Sequence, residues 1–132
     1  ESDYKYLAKS GTCTKCEPVV FLSSCVDVTP QNEVDLEKAV AIGPVSVAIE
    51  ADTRTFQMYE SGVITGSACG TNLDHGVLVV GYGTESNQPY WLVKNSWGSS
   101  WGEDGYVKIE KSSSTKNKGT CGIAMQPSYP VV

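Results

Sequence analysis

The sequence predicts an α+β fold that is mainly β, a twisted antiparallel sheet or barrel with one or two short helices. Three observations carry this expectation. A single segment has helical period, several later runs alternate with period two, and turn residues (Gly, Pro, Asn, Ser) split those runs. At 132 residues the chain is long enough for one core and too short for two, so one domain spanning 1–132 is expected.

Each element follows from local chemistry. Residues 1–31 are aromatic and polar with short apolar stretches such as "VVFL", which predicts a lead-in segment with one or two short strands. "NEVDLEKAVAIGP" is the clear helix. Asn32 can cap it, Glu33 and Asp35 lie in its first turn, and Leu36, Ala39 and Val40 form an i, i+3, i+4 stripe before Gly43 and Pro44 stop it. "VSVAIEA" then alternates, with Val45, Val47 and Ile49 on one face and Ser46, Ala48 and Glu50 on the other. "FQMYES" predicts a short helix. "GVLVVGYG", "YWLVKNS" and "YVKIEK" predict three strands, and "CGIAMQPSYPVV" an extended end.

Bulk properties exclude several functions. The 15 acidic against 10 basic residues give a net charge of -5, and the lysines near the end (Lys108, Lys111, Lys116, Lys118) are dispersed rather than gathered into a phosphate-binding patch. No nucleic-acid partner is expected. The longest apolar run, Gly76 to Val80, is strand-length, so no membrane span is expected. The start at Glu1, without methionine or signal peptide, suggests a processed or truncated chain. Cys13, Cys16, Cys25, Cys69 and Cys121 suggest an oxidising compartment, and their odd number leaves at least one thiol outside any internal bridge. A zinc site needs four ligands at suitable spacing, and the lone His75 with scattered cysteines serves that poorly. Cys13-Thr14-Lys15-Cys16 is followed by Glu-Pro-Val-Val instead of a helix, unlike a redox motif. No metal or cofactor is expected.

The chemistry-bearing residues begin with His75, the sole histidine, set between turn residues and an apolar strand. A histidine satisfied in the core is the plain alternative. "KNSWGSSWGEDGY" adds Asn95, whose carboxamide can accept from an imidazole N–H, and Trp97, which can keep water off that bond. A base oriented by a third group is the logic of nucleophilic triads. A tryptophan-rich turn closing a barrel would use the same residues.

Together "LDHGVLVVGYG", "YWLVKNSWGSSWGEDGYVKI" and "CGIAMQPSYPVV" resemble the C-terminal half of papain-like cysteine peptidases, the cathepsin L and plant papain group. The opening "ESDYKYLAKSGTC" resembles the segment leading into that half, with Lys5 where a proline is common. The resemblance implies the right-hand domain of the papain-like fold. It implies that His75 is the catalytic histidine, Asn95 the asparagine orienting it, Trp97 the tryptophan covering the pair, and Asp74 a residue tuning the site's electrostatics. It implies a second substrate pocket built from Ala48, Leu73, Gly76 and Gln126, suited to bulky aliphatic or aromatic side chains. It also implies a Cys69–Cys121 bridge, which would contribute about 4 kcal/mol by loop entropy. Cys13 matches a cysteine that bridges to the N-terminal half, and a Cys16–Cys25 bridge stays open.

One departure matters. The family's nucleophile lies in a "CGSCW"-like motif near the mature N-terminus, with a glutamine for the oxyanion hole just before it, and neither occurs here. Cys25, in "FLSSCVDVTP", lacks that context. The expected reading is the C-terminal half of a lysosomal, vacuolar or extracellular cysteine endopeptidase. On that reading its N-terminal helical domain is expected to be absent, and the chain alone is expected to be inactive on peptides. Its expected partners are a peptide or protein substrate and that N-terminal half. Exposure of the wall facing the absent half implies self-association. A barrel module with a binding or structural role is the competing reading, and a hydrolase using Cys16 or Cys25 with His75 is a third.

Overall fold

In the computed structural model, which describes residues 4–132, the helix forms where its capping chemistry directs. Asn32 Oδ1 accepts the Asp35 N–H at 3.0 Å, and α1 runs Glu33–Val40 with Leu36, Ala39 and Val40 buried. Glu33 is a surprise. Its place in the first turn suits the helix dipole, yet its side chain is buried rather than solvated. The carboxylate accepts from Trp91 Nε1 at 2.9 Å and from the Ser112 N–H and hydroxyl at 2.9 and 2.6 Å. Glu33→Ala would strand these donors. We expect a loss of about 3 kcal/mol in urea unfolding, with Glu33→Gln milder because it keeps one acceptor.

The strands are β1 (Ser24–Asp27), β2 (Val45–Ile49), β3 (Val63–Ile64), β4 (His75–Glu85), β5 (Gln88–Lys94), β6 (Tyr106–Glu110) and β7 (Ser128–Val131). They form one seven-stranded sheet in the order β1-β7-β2-β4-β5-β6-β3. Every pairing is antiparallel except β3 with β6, which is parallel. Among the described residues no pair joins β1 to β3, so the sheet stays open where a closed barrel was the other expectation.

Alternation sets the core. Val45, Val47 and Ile49 of β2, Val77 and Val79 of β4, Trp91 and Val93 of β5, and Val107 and Ile109 of β6 all point inward. A one-residue slip in any pair would turn these side chains to solvent, so the register is firmly specified. The β4–β5 hairpin turns at Ser86 and Asn87, both at positive φ (48° and 66°), the tight two-residue turn that matches strand twist.

Three expectations shift. The second helix, α2 (Arg54–Gln57), begins two residues before Phe56 because Thr53 caps it, its hydroxyl accepting the Phe56 N–H. "VVFL" at 19–22 forms no strand; β1 begins at Ser24, where β7 offers a partner. The end starts with a 3-10 turn, Thr120–Gly122, before β7. Residues 4–22 form no helix or strand and are exposed throughout, including Tyr6, Leu7, Val19, Val20, Phe21 and Leu22. Residues 1–3 of the opening motif lie outside the described residues. No helix among the described residues is long and apolar enough to cross a membrane, and no group of His, Cys, Asp and Glu there is arranged to hold a metal ion.

Candidate active site

The hairpin register assembles the site. β4 and β5 pair with Leu78 opposite Lys94, so the chain leaving β5 at Asn95 passes back along the start of β4, where His75 is the first residue. Trp97 thereby comes level with His75. Residues twenty apart in sequence become neighbours.

Asn95 Oδ1 lies 2.8 Å from His75 Nε2 and 2.8 Å from the Ser96 backbone nitrogen. A backbone N–H can only donate, so the Asn95 atom it meets is the carbonyl oxygen. The His75 nitrogen facing the same oxygen must then carry a proton. In the neutral ring this leaves Nδ1 as the unprotonated nitrogen, the one able to take a proton. Asn95 is only 8 % exposed, while its Nδ2 is buried with no acceptor in reach among the described residues.

Trp97 lies against the imidazole. Its ring centroid lies 5.0 Å from that of His75, at 32° between planes, and the residue is 41 % exposed. Beneath it, Phe56 meets Trp97 edge-on at 5.6 Å, and Trp101 meets Trp97 at 5.3 Å and Phe56 at 5.2 Å. Trp101 Nε1 donates to the Gln57 carbonyl at 3.0 Å. The short helix α2 therefore supports Trp97. The sequence reading placed Phe56 only at the start of the short helix "FQMYES"; its packing beneath Trp97 was not foreseen.

The pile continues to Tyr59, whose Oη lies 2.6 Å from the Gly62 carbonyl oxygen and 2.8 Å from Glu103 Oε1. Lys108 binds Glu103 Oε2 at 2.9 Å and Glu85 Oε1 at 2.8 Å. The Lys108 ammonium holds the Glu103 carboxyl below its ordinary value, with help from the Tyr59 hydroxyl and the Gly62 N–H. Burial, and then the bond to Glu103, push the Tyr59 phenol from an ordinary value near 10 up to about 12. A raised phenol pKa means that the folded chain holds the proton more tightly than the unfolded one. The associated stability is complete below pH 10 and is lost as pH climbs towards 12. Tyr59→Phe should remove one late-ionising phenol from the ultraviolet titration near pH 12; an unchanged late phase would contradict this.

Asp74 sits beside His75 with its carboxylate engaged: Oδ1 accepts the Ala51 N–H at 2.8 Å, and the Asp74 N–H donates to the Ile49 carbonyl at 3.0 Å. Of the expected pocket residues, Ala48 and Gly76 pair directly across β2 and β4. Leu73 lies against Gly122, where an added Cβ would come within 2.7 Å of Leu73 Cδ2. Gln126 is exposed and lines a different depression with Pro30 and Pro127. A groove of about 420 Å³ runs beside Asn95, lined by Ser46, Gly76, Leu78, Lys94 and Ser96 among others.

The cysteines divide. Cys69 and Cys121 form the expected disulfide, with Cα atoms 5.0 Å apart, while Cys13, Cys16 and Cys25 are free and exposed. Asp27 of β1 and Ser46 of β2 are both level with Ser128 of β7, and β1 runs parallel to β2. Cys25 stands two residues before Asp27, and Ile49, the partner of His75, three after Ser46. Strand spacing and rise then put Cys25 about 20 Å from His75. Cys13 and Cys16 lie on the exposed lead-in segment.

Comparison with known proteins gives the family and the fold. The profile of "Papain family cysteine protease" matches residues 1–131. Cysteine proteinase RD21A of Arabidopsis thaliana is 51% identical over 134 residues, covering 99% of this chain and 29% of that protein. The chain thus spans under a third of that relative's length. The bromelain protease of Ananas comosus, solved with the E64 inhibitor, superposes with a TM-score of 0.90 at 40% identity, covering 99% of this chain and 61% of that one. The proform of the ragweed pollen allergen cysteine protease Amb a 11 gives 0.92 at 39% identity, covering 99% and 36%. The family profile across nearly the whole chain, and half of all positions shared with a plant proteinase, establish that this chain belongs to the papain family of cysteine proteases.

Proposed function

We propose that this chain supplies the acid–base half of a cysteine-peptidase centre and that the thiol comes from polypeptide outside these 132 residues, the family's N-terminal half. The observation that carries this reading is the His75–Asn95 bond beneath Trp97, which leaves Nδ1 as the proton acceptor. His75 Nδ1 takes the thiol proton. The thiolate attacks the peptide carbonyl carbon, and the tetrahedral adduct collapses as the imidazolium protonates the departing amine. Water, deprotonated by His75, then cleaves the thioester and regenerates the thiol. Asn95 holds the ring in the required tautomer, and Trp97 keeps water from their bond. Asp74, its carboxylate tied to Ala51, contributes negative charge beside the imidazolium.

The disposition of the cysteines supports an external thiol: two are bonded to each other and Cys25 is remote from His75. The orphan Asn95 Nδ2 and the adjoining groove support a segment docking there that carries an acceptor. The exposed apolar residues between Tyr6 and Leu22 support burial of that segment against a partner, with Cys13 available to bridge to it. Of the expected second pocket, Ala48, Leu73 and Gly76 favour bulky aliphatic or aromatic substrate side chains, while Gln126 stands in a separate depression. The Cys69–Cys121 bridge supports a vacuolar, lysosomal or extracellular setting.

A chimaera tests the reading: this chain replaces the 134 matched residues of the Arabidopsis proteinase. Peptide hydrolysis that depends on His75 is expected, with leucine preferred over arginine two residues before the scissile bond. A folded chimaera without such hydrolysis would contradict it.

A further inference from the structure

Between the 3-10 turn Gly66–Ala68 and β4, the chain runs from Cys69 to Asp74 without regular structure, so its backbone N–H groups need partners from elsewhere. Glu50, the residue after β2, supplies two. Its Oε1 accepts the Gly70 N–H at 2.9 Å and its Oε2 accepts the Asn72 N–H. The carboxylate approaches so closely that a Cβ on Gly70 would lie 2.7 Å from Oε2; glycine at position 70 is what admits it. The Glu50 N–H donates to the Cys121 carbonyl at 2.9 Å, and Cys121 is bonded to Cys69 at the head of the loop. Leu73 follows directly, seated on Gly122, which is held at φ +77°. Asp74 and His75 come next.

We propose that Glu50 is a positioning residue, whose carboxylate fixes the Gly70–Asn72 backbone and thereby sets the Leu73 wall of the second pocket. Both carboxylate oxygens are engaged by donors of one loop, which assigns the charge to the loop and not to a basic substrate side chain. A charge-assisted pair of bonds is the strongest non-covalent tie this loop has besides the clamp between Asp74 and Ala51. The catalytic consequence rests on the function proposed above; the hold on the loop does not.

Amide hydrogen exchange on the 132-residue chain reads the hold directly. Glu50→Ala should speed exchange at Gly70 and Asn72 about tenfold or more while Val77 and Val79 stay within about twofold. Glu50→Gln, with one acceptor oxygen, should release one amide and spare the other. Unchanged exchange at both amides in the alanine variant overturns the proposal; if that variant unfolds globally, the glutamine variant decides by the same criterion.

The chimaera then reads the consequence. Glu50→Ala should raise KM about tenfold for a substrate with leucine two residues before the scissile bond, with kcat within about threefold and an alanine substrate little affected. An equal loss for both substrates carried by kcat overturns the positioning role. A wild-type chimaera lacking His75-dependent hydrolysis would count against the catalytic reading, and the exchange experiment would still judge Glu50.

Discussion

Replacing His75 with alanine in the chimaera is expected to lower kcat/KM on the order of 10⁴-fold, or about 5.5 kcal/mol of transition-state stabilisation, nearly all of it in kcat. In the proposed mechanism the imidazole acts on protons in flight: it takes one from the thiol, gives one to the leaving amine and takes another from water. Substrate binding needs none of these, so KM should barely move. Asn95→Ala should cost less, about 10²-fold, because the ring remains present but is freed to rotate away from its productive tautomer and orientation. The removed oxygen accepts from both His75 and Ser96, so the Ser96 turn should loosen as well. Steady-state kinetics on a substrate with leucine two residues before the scissile bond distinguishes the two variants. A His75→Ala chimaera as active as its parent would remove His75 from the chemistry.

The second large effect concerns the cystine. Cys69→Ser with Cys121→Ser should cost about 4 kcal/mol in the chain-entropy treatment, because the bridge closes a loop with a sequence separation of 52. For a domain of this size that is a fall in melting temperature of about 15 °C. The loss should also be local. Cys69 heads the loop that ends at His75, and Cys121 receives the Glu50 N–H, so the variant should expose the amides of Gly70 and Asn72 before those of β4. Thermal unfolding of oxidised wild type against the double serine variant checks the magnitude; a shift of less than about 4 °C would contradict it.

How far the sequence reaches depends on the range of the interaction. The helix was legible because its signals are local: Asn32, the apolar stripe and Gly43-Pro44 lie within thirteen residues. The strands were legible through alternation, and the His75–Asn95 pair through motif resemblance. Glu33 was not, since a carboxylate in a first helical turn is ordinarily solvated, and only the distant Trp91 and Ser112 make its burial tolerable. The parallel pairing of β3 with β6 was missed because a two-residue strand has no periodicity to read. The start of α2 was displaced because the cap at Thr53 lies outside the apolar run that suggested the helix. The second pocket is legible only in part: Ala48 and Gly76 are brought together by strand register, whereas the position of Gln126 depends on the long connection after β6.

The proposed function requires that this chain hold the imidazole and its orienting amide but not the thiol they serve. Treating the isolated chain with an epoxysuccinyl peptide at mildly acidic pH, followed by intact-mass and peptide mapping, tests it most directly. No stoichiometric adduct is expected on Cys13, Cys16 or Cys25, and no difference between wild type and His75→Ala. Stoichiometric labelling of any of these cysteines that disappears in His75→Ala would contradict it.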